Sequence, residues 1–402
     1  MANSLLTHAI IAREAAALLE ELSPFCKNVN KARQEEFGKD IQGYKPGSSV
    51  TVKIPPTGVV YSGATFAGGG SAPDFQEGQI TLSLNTQKHV PLTFSATEKL
   101  LNITDFKERI LMPQMTTLAA AVEADLLLQA VQATPNIVGT AGSIPTSMKT
   151  FSQARAKLQR NLAPTAPRYM MMSDEVNVEL VDSTKAQFNP AAEVEKMFYE
   201  GSLGKAQGAG WYECINLPTI TNGTRAGSIT VSGATQTGSS LVVGCTSGDT
   251  FKKGEVITLA GAFEVHPLTG TATTTLRQFV ITADVTAAAA TATLPIYPTI
   301  DTAMPNQTVS ASPTNGGAVT FWGSNATGYK NNLMWHRDAY TAAFAPLPVL
   351  ASCEGYTARL PSGISVRVMT FGNGQTDTES TRVDILYGFA AVRGQHGCRV
   401  SQ

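Results

Sequence analysis

From residue 4 to residue 22 the chain reads SLLTHAIIAREAAALLEEL. Leu5, Leu6, Ala9, Ile10, Ala16, Leu18, Leu19 and Leu22 recur at helical spacing, while Arg13, Glu14, Glu20 and Glu21 fall mostly elsewhere. The pattern predicts an amphipathic helix. Ser23-Pro24 ends it, because proline cannot continue a helix and restricts the residue before it. Such a helix docks either on its own chain or on a neighbour. Residues 49–54 alternate as a strand, broken by Pro55-Pro56, and residues 79–85 and 88–95 read as a pair of strands. Ser95-Ala-Thr-Glu98 is a capping box that opens a helix to about Ile110. Met112-Pro113 starts a second helix to Val131, with proline in its first turn. That segment is rich in Ala and Leu and sparing in charge, which makes it a core or spine helix.

Residues 147–161 predict a further amphipathic helix with Met148, Phe151, Ala154 and Leu158 on one face. RYMMMS (168–173) reads as a buried strand. Ser173 then caps a helix whose first turn holds Asp174 and Glu175, the favoured sign at a helix amino terminus. Residues 190–199 carry one more helix. At about Gly227 the pattern changes. As far as about Ser312 the chain is a series of short strands (GSITVSG, SSLVVGC, GEVITLA, LRQFVITA, ATATLPI) separated by Gly- and Thr-rich turns, with Ala287–Ala290 as a hairpin connection. Short strands at this spacing predict a small barrel or sandwich. Mixed helix and strand patterns stand on both sides, so the block reads as a domain inserted into another domain, as exposed loop tips permit. Residues 43–79 form a long polar excursion with Gly68-Gly69-Gly70 at a turn, and such excursions are often functional.

Composition sharpens this picture. Hydrophobic residues make up 43% of the 402 positions and charged residues only 15%, against about 25% charged in an ordinary domain. A chain that economises on charge either covers much of its surface with partners, since obligate interfaces are depleted in charge, or is a secreted Thr/Ser-rich β-protein. The net charge of −1 argues against a dedicated nucleic-acid binder. Lys27, Lys31 and Arg33 are followed at once by Glu35 and Glu36 and read as a solvated face or a loose arm rather than a DNA site. The five cysteines (Cys26, Cys214, Cys245, Cys353, Cys398) are scattered without metal-site or CxxC spacing, which fits folding in a reducing compartment. The amino-terminal segment lacks the pattern of a signal peptide and of a membrane span.

The candidate chemistry is thin. EGSLGKAQGAG (200–210) has the wrong glycine spacing for a phosphate loop, and Ala206 stands where Ser or Thr is required. It reads as a glycine turn before a strand. His336 and Asp338 share a face if the segment is a strand, but no second histidine, HExxH or Gly-x-Ser-x-Gly completes a site. His8, His89, His266 and His396 are isolated in sequence. Glu123 and Asp125 lie two apart on a predicted helix and do not face each other. The expectation is a non-enzyme without a metal or organic cofactor.

In sequence order, GSLGKAQGAGWYECINLP (201–218), FKKGEVITLAG (251–261), LRQFVIT (276–282), NLMWHRDAYTAAFAPLP (332–348) and RVDILYG (382–388) resemble passages of tailed-bacteriophage major capsid proteins. The β-rich block is similar to the extra domain of the Salmonella podovirus coat-protein branch. The resemblance implies an α+β fold of the Hong Kong ninety-seven capsid type. Residues 1–42 would be an amino-terminal arm and 43–79 an extended loop. Residues 80–145 would form a peripheral domain with a spine helix, joined by return strands from 371–402. Residues 146–226 and 313–370 would form an axial domain, interrupted by an inserted β-barrel at 227–312. No long charged prodomain precedes the arm, which departs from part of the family and implies a separate scaffolding protein.

The implied function is a shell subunit closing through pentamers and hexamers into an icosahedral virion capsid, assembled in the bacterial host cytoplasm around double-stranded DNA. The DNA would be contacted non-specifically at the inner surface. Portal protein at one vertex and a decoration protein are further implied partners, and no membrane is involved. Lys53, Tyr61 and Glu77 are candidate inter-subunit contacts on the extended loop. Glu264 and His266 are candidates on the loop at 264–275. The competing reading is a β-rich phage tail, decoration or adhesion protein acting as a binding module; the third is an enzyme whose catalytic residues are distant in sequence.

Overall fold

A computed structural model describes residues 7–32, 49–55, 58, 64, 77–92, 111–184, 204–373 and 378–402. The expected helices at 95–110 and 190–199 lie outside the described residues. The chain divides into two compact units, one of Met1–Val52, Gln79–Leu127 and Tyr340–Val392, the other of Lys53–Gly78, Leu128–Ala339 and Arg393–Gln402.

In the first unit, helix α1 (His8–Leu22) buries Ile11, Ala12, Ala15, Ala16, Leu18 and Leu19, the stripe its periodicity predicts. It docks on its own chain, against strands β19 (Glu354–Arg359) and β20 (Ser365–Asn373). His8 Nε2 reaches Thr370 Oγ1 at 2.8 Å. Pro24 ends α1 and then starts a second short helix, α2 (Pro24–Asn28), where its missing N–H costs nothing. The sheet runs β18 (Tyr340–Ala345), β21 (Thr378–Ala391), β20, β19, with β3 (Thr86–Leu92) also on β21. Helix α3 (Met112–Ala133) buries Met115, Leu118, Val122 and Leu126 along one stripe.

One expected pairing is different. β2 (Gly78–Ser83) pairs with β1 (Ser49–Ile54), and β3 pairs with β21, so the strands at 79–85 and 88–95 are not partners. The reason lies at Leu84, which leaves β2 and buries its side chain in the core with Leu82, Leu347 and Leu386. That turn passes so close to Gly388 that a Cβ there would overlap Ser83 O.

In the second unit a sheet runs β4 (Ile137–Val138), β22 (Gly397–Ser401), β17 (Gly328–His336), β5 (Arg168–Met172), β7 (Ala209–Glu213), β6 (Lys205–Ala206), with β8 (Thr219–Thr221) on β17. Helix α4 (Met148–Arg160) crosses from β4 to β5, and α5 (Asp174–Thr184) crosses from β5 to its parallel neighbour β7. The cap read at Ser173 forms, its Oγ accepting from Val176 N at 3.2 Å, and the structure adds a like cap on α4, where Ser147 Oγ accepts from Lys149 N at 3.2 Å. Phe151, Ala154 and Leu158 of α4 and Val176 and Leu180 of α5 share one core with Met170, Met172 and Trp211. Both helices therefore cover the same face, as two right-handed crossovers advancing in one direction require.

Six further strands of this unit form a sheet ordered β16 (Val319–Phe321), β12 (Val256–Val265), β13 (Ala272–Ile281), β15 (Thr291–Ile300), β10 (Gly238–Gly244), β9 (Thr230–Val231), beside a small ribbon of β11 (Thr250–Phe251) and β14 (Val285–Thr286). A bridge between Thr230 and Ala318 joins its two edges into a barrel. Leu241, Val243, Phe251, Ile257, Leu259, Phe279, Ile281 and Leu294 fill the interior at 0% exposure. Each such side chain contributes about 1.5–3 kcal/mol by burial.

Candidate assembly surfaces

Closed β-structure leaves loops and edges to meet a partner, and the candidate contacts belong to such segments. Lys53 and Glu77 stand opposite each other at the base of the β1–β2 ribbon and pair at 3.1 Å, with side chains 68% and 47% exposed. Within the chain they already serve each other. Tyr61 lies outside the described residues.

Glu264 departs from expectation. It is 3% exposed and points inward from β12, where its oxygens take Arg277 Nη1 at 3.2 Å and Lys157 Nζ at 3.4 Å. Arg277 Nη1 also donates to Asn161 Oδ1 at 3.1 Å. Burial pushes the Arg277 guanidinium below its usual pKa, and the Glu264 carboxylate opposes that shift. Glu264 thus fastens β12 and β13 to α4 rather than to another subunit. Sequence alternation could not reveal this, because Lys157 lies 107 residues away. His266 does lie on the surface, at the start of the turn between β12 and β13. Its carbonyl accepts from Gly270 N at 2.9 Å, its amide donates to Thr271 O at 2.9 Å, and its Nδ1 accepts from Leu268 N at 3.3 Å. The loop is therefore a tight hairpin tip of residues 266–271, shorter than the sequence suggests, with Leu268 52% exposed.

Further polar joints hold the barrel to the helix-covered sheet within this unit, and none carried a sequence signature. The Gln278 side chain donates to Ile137 O at 2.9 Å and accepts from Ile137 N at 3.0 Å, completing the backbone pairing of β4. Arg399, 1% exposed, donates to Gly254 O at 2.6 Å and Thr134 O at 2.5 Å. Arg225 Nη1 meets Glu255 Oε1 at 2.7 Å, with the guanidinium 3.7 Å from the Phe321 ring centre. Glu255 also accepts from Gly223 N at 2.9 Å and Lys252 N at 2.8 Å, so the carboxylate is fully used.

The residues dismissed as catalytic are structural in their settings. After His336 the chain leaves β17 in a tight turn. Nδ1 of the buried ring accepts from Asp338 N at 3.2 Å, and Nε2 lies 3.4 Å from Ala166 O. The Asp338 carboxylate is turned out, 3.9 Å from Nδ1 and 60% exposed. A second histidine does stand near, invisible in sequence: the His396 ring lies edge-on at 6.4 Å. Burial, with the Arg393, His336 and Arg168 charges adding, pushes the pKa of His396 down to about 4. Glu123 accepts from Phe25 N at 3.0 Å and Asp125 from Tyr387 Oη at 2.5 Å, so the two carboxylates do separate work. GKAQGAG is the β6–β7 hairpin, turning at Gln207 and Gly208 with φ of 53° and 73°. All five cysteines are free thiols, and among the described residues no cluster of His, Cys, Asp and Glu could hold a metal ion. No described helix is long and apolar enough to cross a membrane.

A family model described as "P22 coat protein - gene protein 5" matches residues 16–400. The chain belongs to the P22 coat protein family. The match covers the barrel, the helix-covered sheet and the strands of the first unit alike. As a coat protein the chain is a structural subunit of a phage capsid shell and not an enzyme. No curated protein matches it in sequence. Among solved structures it is similar to that of Mycobacterium phage Che8, at 13% identity and TM-score 0.46, over 94% of this chain and 90% of that one. It is similar to the capsid of cyanophage P-SCSP1u at 10% identity and TM-score 0.43, over 90% and 91%. The CUS-3 coat protein I-domain aligns at 22% identity and TM-score 0.18, over 24% of this chain and 96% of that domain. The assignment rests on the family match and not on these distant likenesses.

Proposed function

We propose that this coat protein has the Hong Kong ninety-seven capsid fold and closes, through pentamers and hexamers, into an icosahedral shell around double-stranded phage DNA. The observation that carries the reading is the coat-protein match over residues 16–400. Assembly takes place in the bacterial host cytoplasm on a separate scaffolding protein, with portal protein at one vertex. The packaged DNA meets the inner surface non-specifically, and a decoration protein binds the outside. Residues 227–312 are the inserted domain, a reading supported by a hydrophobic core drawn almost wholly from that stretch. The extended loop at 43–79 lies over a neighbouring subunit, with Lys53, Tyr61 and Glu77 at the contact. The hairpin tip at His266 touches an adjoining capsomer, a placement supported by its exposed Leu268.

The test is to express the chain alone and with candidate scaffolding proteins and to measure particle mass by sedimentation and electron microscopy. Closed shells, or regular tubes and capsomers, are expected. A small soluble species under every condition overturns the reading in favour of a β-rich binding module.

A further inference from the structure

In the second unit, helices α4 and α5 carry opposite charge. Helix α4 has Lys149, Arg155, Lys157 and Arg160 and no acidic residue. Lys157 is buried and committed to Glu264, but Lys149 and Arg160 are exposed, lie three turns apart on one stripe, and make no ion pair among the described residues. Helix α5 reads DEVNVELVDST, with Asp174, Glu175, Glu179 and Asp182 and no basic residue. Glu175 takes Lys330 at 3.6 Å, while Asp174 and Glu179 are exposed and make no ion pair among the described residues. The first-turn carboxylates suit the helix dipole, but that reason does not reach Glu179.

Placement gives the two charges a direction. In the strand order, α4 packs over the β4–β22–β17 side and α5 follows β5 towards β7. The basic and acidic helices thus share one face of the sheet and lie towards its opposite edges. Each is flanked by exposed apolar residues: Ile144 (37%) and Leu162 (42%) beyond the two ends of α4, and Val178 (68%) on α5 with Ile215 (82%) in the loop that follows β7. Exposed apolar side chains set among complementary charges suit a protein interface. A surface whose two sides are complementary to each other, rather than each to itself, makes a head-to-tail contact, and such contacts close into rings.

We propose that the occupant of each helix face is a second copy of this chain, with α4 of one subunit set against α5 of the next around a ring. The inference rests on the shell-subunit reading and names a surface for it. Lys149 and Arg160 of one copy pair with Asp174 and Glu179 of its neighbour, and Val178 and Ile215 meet the apolar residues at the ends of α4. A nucleic-acid ligand on α4 is the competing occupant, and it has no use for the acidic helix.

The experiment is a charge swap in the full-length chain, under conditions where the wild type forms shells. Lys149→Glu with Arg160→Glu, and separately Asp174→Lys with Glu179→Lys, put like charges across the contact. Each pair should cut shell yield by more than about tenfold. All four substitutions together restore the complementarity with reversed sign and should recover assembly. Thermal melting of the unassembled subunit, and the neutral variants Arg160→Gln and Glu179→Gln, guard against misfolding; the neutral variants should weaken assembly and reduce its salt sensitivity. Normal shells from either reversed pair overturn the inference while leaving the coat reading intact. So does a folded four-fold variant that does not assemble, the result a nucleic-acid contact on α4 would give. Failure of the wild type to form any particle counts against the coat reading itself.

Discussion

Replacing Glu264 by Gln separates two roles that the sequence alone could not. The carboxylate is 3% exposed and sits between Arg277 and Lys157, whose side chains are only 4% and 11% exposed. Neutralising it leaves two cations in a site that water cannot reach, and breaking a buried pair from one side costs about 3–5 kcal/mol. Total stability is about 5–15 kcal/mol for an ordinary protein, so the loss is a large share of the whole. Urea unfolding of the unassembled subunit reads it directly, as a lower midpoint with an unchanged slope. A triple replacement, Lys157→Met with Glu264→Leu and Arg277→Met, removes all three charges and should recover most of the loss, because an apolar core of similar volume does without the desolvation cost. A loss below about 1 kcal/mol for Glu264→Gln, the size typical of an exposed pair, refutes the buried-bolt account. Unchanged subunit stability with failed assembly would return Glu264 to the contact surface.

Other consequences follow from the same packing. His396 has a folded pKa of about 4, below its unfolded value near 6.5. Its contribution is therefore complete above about pH 6.5 and is lost as pH falls from there towards 4; His396→Gln should flatten subunit stability across that window in melts at stepped pH. Gly388→Ala sets a Cβ against Ser83 O, displacing β2 from β21's flank, and should leave the chain insoluble or melting many degrees lower by calorimetry. Burial pushes the thiols of Cys26 and Cys398 up to about 12, and Cys214 is buried, so only Cys245 and Cys353 should react with a thiol reagent before unfolding.

Local signals were the readable ones. The proline at 24, the serine cap at 173, and the short strands of the barrel each act within a few residues, and each element formed as its pattern indicates. Long-range partners were not readable. β2 and β3 are adjacent in sequence and looked like a hairpin, yet β3 chose β21, almost 300 residues on, because Leu84 has a core to enter and Gly388 leaves room for the turn. Glu264 sits in a stretch that reads as polar loop, and only Lys157 and Arg277 explain why a charge is buried there. Tight local turns at 207–208 and 266–271 shortened what composition presents as flexible loops.

Strand β22 lies between β4 and β17, with all five of its residues buried. An inner strand of the second unit's main sheet, next to its β4 edge, is thus supplied by Gly397–Ser401, after the other described strands have been made. During synthesis β17 and β4 wait with facing open edges, and a nascent chain cut short of Gly397 keeps them open. Such a fragment has no finished surface to offer a growing shell and has exposed edges that invite proteolysis or aggregation. The topology therefore makes pairing of both edges wait for Ser401. Only a chain translated that far has the finished sheet a shell subunit needs.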